Sequence, residues 1–344
     1  MPTPRSPQRS SHVGAVSRAG AVVLPTFSAS GGQPSKRSLV EEPRYRAWNL
    51  TSNGVHVRSP DEELPRSIDD LVQYVGRNRG SDASEPSLDQ LKRDKGLHEL
   101  ENGVVETVVE NYFKDTLFPS PEPSTDLGRA SKQPMLRHTV PDSGSQHKVK
   151  TPIPDLLFGY TVAAFGQQQQ DQLMSMGTAA MANNANMVYP FLVVEFKGDG
   201  PLWAATNQCA GGSASCVKIA EQLNGQLSQY EGVPPVESAA FSIAMNGTEA
   251  RLYITWKHND TDYYMRKICS FLLQQPHQHL EFRKHVKNII DWGRGARLEG
   301  IREALDSLGR RAEAQTIPES LTGTKRRASE LPLEDVKRVK GPVS

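Results

Sequence analysis

Apolar positions crowd the middle of the chain and thin out at both ends. Residues 1–65 are rich in Ser, Pro, Arg and Gly and hold no sustained apolar period, and the basic tail 312–344 is similarly polar. Such stretches cannot bury enough apolar surface to offset the entropy of ordering, so the pattern predicts disordered N- and C-terminal segments. Residues 66–94 read as a linker with one short helix, since Ile68, Leu71, Val72 and Val75 recur at helical spacing over 67–78. From 97 to 118, Leu97, Leu100, Val104, Val105, Val108, Val109 and Tyr112 cover one broad face and predict a long amphipathic helix. A Pro/Ser-rich loop, 119–150, follows. "TPIPDLLFGYTVAAFG" (151–166) reads as a strand, with Pro154 at its start, where proline is tolerated.

After a polar insert at 167–187 comes "VYPFLVVEFK" (188–197), apolar on both faces as a central strand should be. Residues 202–232 predict a helix rich in small residues. Residues 238–247 and 249–258 predict a hairpin turning at Asn246-Gly247, and 263–273 and 279–311 predict helices. The order gives one domain over 95–311, of α/β (α+β) class, with a central mixed β-sheet flanked by helices.

The central strand ends unexpectedly, in Glu195 and Lys197 just before "GDG". Charges at the end of a buried strand are costly unless paired or used. Side chains two apart on a strand share a face, so Glu195 and Lys197 point the same way. Asp155 opens the preceding strand. If the two strands are neighbours, two carboxylates and an ammonium converge at one end of the sheet. Two close carboxylates repel each other unless a cation lies between them, and oxygen-only sites of this kind suit Mg²⁺ or Mn²⁺. On a helical wheel Glu101 falls within the apolar face of the 97–118 helix, where a buried acid calls for a partner; Glu106 is the alternative. The plainer readings are an ion pair between Glu195 and Lys197 and a turn cap at Asp155.

Pro154-Asp155 followed by Glu195-Phe196-Lys197 resembles the signature of the PD-(D/E)XK nuclease superfamily. More narrowly, "TPIPDLLFGY", "VVEFKGDG" and "IIDWG" resemble an uncharacterised fungal family with a PD-(D/E)XK nuclease-like domain. The resemblance implies a restriction-endonuclease-like core. It implies Mg²⁺ (or Mn²⁺) held by Asp155 and Glu195 with a helix acid, Glu101, and a catalytic Lys197 that assists the attacking water. It also implies a glutamine on the following helix, Gln226, with Tyr230 and Gln222 toward the substrate. The expected activity is metal-dependent hydrolysis of phosphodiester bonds in DNA or RNA. The alternative is a catalytically inactive module of the same fold that binds nucleic acid or protein in the nucleus.

Composition narrows this picture only slightly. A formal net charge of +1 gives no global basic field, so nucleic-acid binding needs a local patch. Three cysteines, Cys209, Cys216 and Cys269, make no disulfide framework and suit an intracellular, reducing setting. No apolar run is long enough to span a membrane, so no membrane partner is expected. Two basic clusters in 325–340 resemble a bipartite signal read by a nuclear import receptor.

Overall fold

The computed structural model describes residues 38–80, 85–122 and 126–316, with side chains through 311. The expected disorder of 1–37 and the basic clusters of 325–340 lie outside the described residues. Seven strands form one mixed sheet. They are β1 (Val55–Arg58), β2 (Leu127–Ala130), β3 (Leu156–Tyr160), β4 (Val188–Phe196), β5 (Ala240–Met245), β6 (Glu249–Lys257) and β7 (Tyr263–Leu272), in the order β1-β7-β6-β5-β4-β3-β2. The pairs β4–β5 and β1–β7 are parallel and the other four antiparallel. The helices are α1 (Arg66–Gly76), α2 (Leu88–Lys92), α3 (Lys95–Glu99), α4 (Glu106–Thr116), α5 (Gln167–Ser175), α6 (Leu202–Leu227), α7 (Pro276–Trp292) and α8 (Leu298–Thr316).

The expected α+β class, a mixed sheet flanked by helices, is the observed one. β4 is buried along its whole length, which accounts for its unbroken apolar run. α6 covers one of its faces. The small residues of that helix allow the close approach: a Cβ on Gly212 would stand 3.2 Å from Val193 Cγ1. Side chains alternate along β4, so Phe196 turns to the opposite face. There it meets Phe118, which also packs on Phe158 of β3. Trp292, from "IIDWG", anchors the end of α7 on Phe191 and Phe241.

Several sequence expectations need correction. The helix expected over 263–273 is instead strand β7, Tyr263–Leu272: its apolar and polar positions fit either period, and pairing with both β6 and β1 decides the matter. The folded unit also begins well before 95. Val55–Arg58 add the edge strand β1, Tyr45 and Leu50 are buried, and α1 packs against α7. The loop expected over 119–150 contains β2. The helix expected over 279–311 bends at Gly293–Arg297, where Tyr160 Oη donates to the Gly293 carbonyl at 2.7 Å.

Candidate active site

β3 and β4 are antiparallel neighbours, with Leu156 opposite Val194 and Leu157 opposite Val193. One more step of this register sets Asp155 against Glu195. The Phe196 backbone N–H donates to Asp155 Oδ2 at 2.8 Å, which fixes the carboxylate across the strand gap. Lys197 continues the sheet, its N–H donating to the Met245 carbonyl of β5 at 2.8 Å. The fold therefore brings Asp155, Glu195 and Lys197 to one end of the sheet.

Glu195 is 1% exposed, and neither of its carboxyl oxygens has a hydrogen-bond partner. Burial pushes its pKa well above the usual carboxylate range; Asp155 adds to the rise, and Lys197 only partly opposes it. Asp155 is also raised, chiefly by burial, against the pull of the Phe196 N–H and Lys197.

The helix acid is not the expected one. The helix read over 97–118 breaks after α3, because Gly103 adopts a left-handed φ of +72°. Glu101 falls in the turn and is exposed; the wheel that placed it on an apolar face assumed a continuous helix. Glu106, in the first turn of α4, takes the position beside the sheet end and accepts from Lys197 Nζ at 3.2 Å. Two glycines seat this connection on the end of β4. A Cβ on Gly103 would lie 2.7 Å from Asp199 Oδ2, and one on Gly198 would lie 2.7 Å from the Val104 carbonyl oxygen and 2.8 Å from the Glu106 nitrogen. Gly198→Ala is therefore expected to cost about 1–3 kcal/mol, as forced overpacking does, and to loosen Glu106 from Lys197. Denaturant unfolding beside the wild type measures the cost.

The structure does not bring Gln222, Gln226 and Tyr230 to this place. α6 leaves the site in the direction of β6: Thr206 meets Tyr253, Ser213 meets Thr255 and Glu221 pairs with Lys257. At 1.5 Å per residue, Gln222 lies roughly 30 Å along the helix from its start. Tyr230, beyond the helix end, lies beneath Arg311. The basic residues of 283–311 are divided: Arg283, Lys287 and Arg294 line one cleft with Arg79, and others are taken up elsewhere. Arg297 is buried, Arg302 pairs with Asp126 and Glu299, and Arg283 is tied to the Thr116 carbonyl.

Sequence reasoning missed a second group beside Asp155. Glu110, one turn beyond Glu106 on α4, is buried and accepts from Lys114 Nζ at 2.5 Å and Lys132 Nζ at 2.6 Å. Burial would raise this carboxyl, but the two lysines outweigh it and hold it below its ordinary value. Lys132 Nζ also stands 4.0 Å from Asp155 Oδ1. Its backbone is strapped over the Pro154-Asp155 turn: the Lys132 N–H donates to the Pro154 carbonyl at 2.9 Å, and Ser131 Oγ donates to the Asp155 carbonyl at 2.9 Å. Lys132 lies in a stretch read as loop, and no spacing rule links it to an acid 22 positions earlier. Glu110 offered a weak signal only, as an acid one turn from Glu106.

Among the described residues, no three His, Cys, Asp or Glu side chains form a group able to hold a metal. The acids come instead as the pair Asp155 and Glu195, with Glu106 and Glu110 each engaged by lysine. Val105, Val108, Ile153 and Trp203, all close in sequence to site residues, are large apolar side chains left exposed.

No curated protein matches the sequence, and no solved structure does. One family matches residues 96–305, a span that runs from α3 into α8 and holds every residue of the cluster just described. That match covers more than half of the chain, which thus belongs to the family described as a domain of unknown function, DUF7924.

Proposed function

We propose that this chain hydrolyses phosphodiester bonds in nucleic acid, with Asp155 and Glu195 holding Mg²⁺ or Mn²⁺. The observation that carries the reading is Glu195: a carboxyl shut in beside a second carboxyl, with neither oxygen hydrogen-bonded. Buried polar groups in native proteins are almost always partnered, so such an exception asks for a use. The donor chemistry fits the cation, because Mg²⁺ commonly takes only one or two protein carboxylates and fills its other positions with water and substrate phosphate. When bound, the cation would supply charge stabilisation at phosphorus and a more acidic water.

The remaining work falls to the chain's own side chains. The Phe196 N–H occupies Asp155 Oδ2, and Oδ1, 4.0 Å from Lys132 Nζ, is the oxygen left to face the cation. Lys197, steadied by Glu106, donates to the attacking water or to a phosphate oxygen and offsets the charge that builds up in the transition state. The exposed Val105, Val108, Ile153 and Trp203 suit the apolar faces of nucleobases.

The test is purified chain with single- and double-stranded DNA and RNA, with and without Mg²⁺ or Mn²⁺. Cleavage that needs the metal is expected; cleavage that persists in chelator would overturn the mechanism. One observation favours a second reading. Glu195 and Asp155 are 1% and 6% exposed, a closed arrangement that suits a module which binds nucleic acid without cutting it. Metal-independent binding with no cleavage would select that reading. Nuclear import through 325–340 is part of either proposal, and deletion of those residues from a fluorescently tagged chain tests it.

A further inference from the structure

We infer that Lys132 is a second phosphate-contacting residue of this site, recognising the anionic backbone of a nucleic-acid strand next to the Asp155–Glu195 pair. The inference rests on the phosphodiester-hydrolase reading and adds to it a residue that the sequence signature does not contain.

Four observations converge on Lys132. The first is its redundancy at Glu110: Lys114 already pairs with that carboxylate from within the same helix, so Lys132 is not its sole partner. The second is its openness. The Lys132 side chain is 49% exposed, whereas those of Lys114 and Lys197 are 20% and 14% exposed. Of the three lysines in the cluster, it is the one an incoming strand meets.

The third is its backbone. Lys132 has φ +53°, a left-handed conformation that disfavours residues with a Cβ and would suit glycine. A lysine held there at a conformational cost implies that the side chain is used. The fourth is the architecture of α4. Glu106 steadies Lys197 and Glu110 steadies Lys132, one helical turn apart, and both ammonium groups lie by Asp155. Four carboxyls (Asp155, Glu195, Glu106, Glu110) face Lys114, Lys132 and Lys197, with Lys150 also acting on Glu195, so the ionised cluster carries no net positive charge. A divalent cation would add positive charge and make the cluster attractive to phosphate.

The left-handed backbone also supplies a clean variant. Lys132→Gly removes the cation while relieving the strained φ, which offsets part of the lost ion pair with Glu110, and thermal melting separates an effect on the fold from lost binding. The experiment follows the anisotropy of a fluorescein-labelled oligothymidylate, and of a duplex of the same length, across a salt series in Ca²⁺ and in chelator, alongside thermal melting. Lys132→Gly should melt close to the wild-type temperature, because Lys114 still pairs with Glu110 and the backbone is relieved. It should bind roughly tenfold more weakly, as loss of one charge-assisted contact predicts. Its salt slope should fall by about 0.7–0.9, the value of one phosphate contact. Lys132→Arg should keep the slope.

Wild-type affinity and slope in Lys132→Gly would overturn the inference, and would do so even if the wild type cleaves. A wild type that neither binds nor cleaves either probe would remove the inference together with the hydrolase reading.

Discussion

Glu195→Gln should give a protein that is more stable than the wild type and inactive. The substitution keeps the shape and removes the charge. In the folded chain burial and the neighbouring Asp155 raise the Glu195 carboxyl, with Glu106 acting in the same direction and Lys197 and Lys150 opposing. The unfolded chain loses this proton at about pH 4.3. Above that pH the native state binds more protons than the unfolded one, so stability falls as pH rises toward the folded value. Each pH unit within that window costs the wild type about 1.4 kcal/mol, and the glutamine variant avoids the loss. One kcal/mol moves Tm by roughly 2–4 °C in domains approaching this size. Melting curves in chelator, from weakly acid to weakly alkaline pH, should therefore separate the two proteins increasingly as pH rises. Glu110 has the opposite sign: its carboxyl is held low, so its contribution is present above the unfolded value and is lost on acidification through the folded one. A Glu195→Gln protein that melts below the wild type at neutral pH would mean that the carboxylate is satisfied in a way the geometry does not reveal.

Lys197→Ala should lower kcat for phosphodiester cleavage by about 10²–10³, the usual effect of removing one preorganised charge-stabilising group, with little change in KM. Asp155→Ala should cost more than activity, because it leaves the buried Phe196 N–H without its acceptor, a penalty of about 1–3 kcal/mol. The two variants are thus distinguishable: the first should melt close to the wild type, the second lower. Glu106→Gln tests positioning. It should lower kcat with KM kept, because the charge steadying Lys197 is gone, and Glu106→Asp should restore part of the loss while the fold is kept. Lys197→Ala cleaving at the wild-type rate would exclude the lysine from the chemistry.

How much of this was legible in the sequence depended on the range of the interactions. β4 was legible because burial on both faces leaves an unbroken apolar run, and its terminal Glu195 and Lys197 stand out against it. The β5–β6 hairpin was legible from Asn246-Gly247 between two apolar runs, a local signal. That Asp155 faces Glu195 rests on a register between strands about 40 residues apart in sequence, which periodicity alone cannot set. The helix acid was misread for a local reason, the left-handed Gly103, which stops a helix that the apolar pattern would continue. Gln226 and Tyr230 were misplaced for a global one: α6 is long and points away from the sheet end that it leaves. Strand β7 was misread because a ten-residue segment with mixed periodicity takes its structure from its neighbours. Lys132 left no trace in the pattern, since its meaning comes from a strap over Pro154-Asp155 that exists only in the folded chain.

Metal-dependent hydrolysis at this site requires Asp155 and Glu195 to hold one divalent cation together. Crystals of the full chain soaked in Mn²⁺ and measured at its absorption edge address it most directly. An anomalous peak is expected at coordination distance, about 2.1 Å, from an oxygen of Asp155 and an oxygen of Glu195. Mn²⁺ bound elsewhere in the same crystals, with no peak between these two carboxyls, would contradict it.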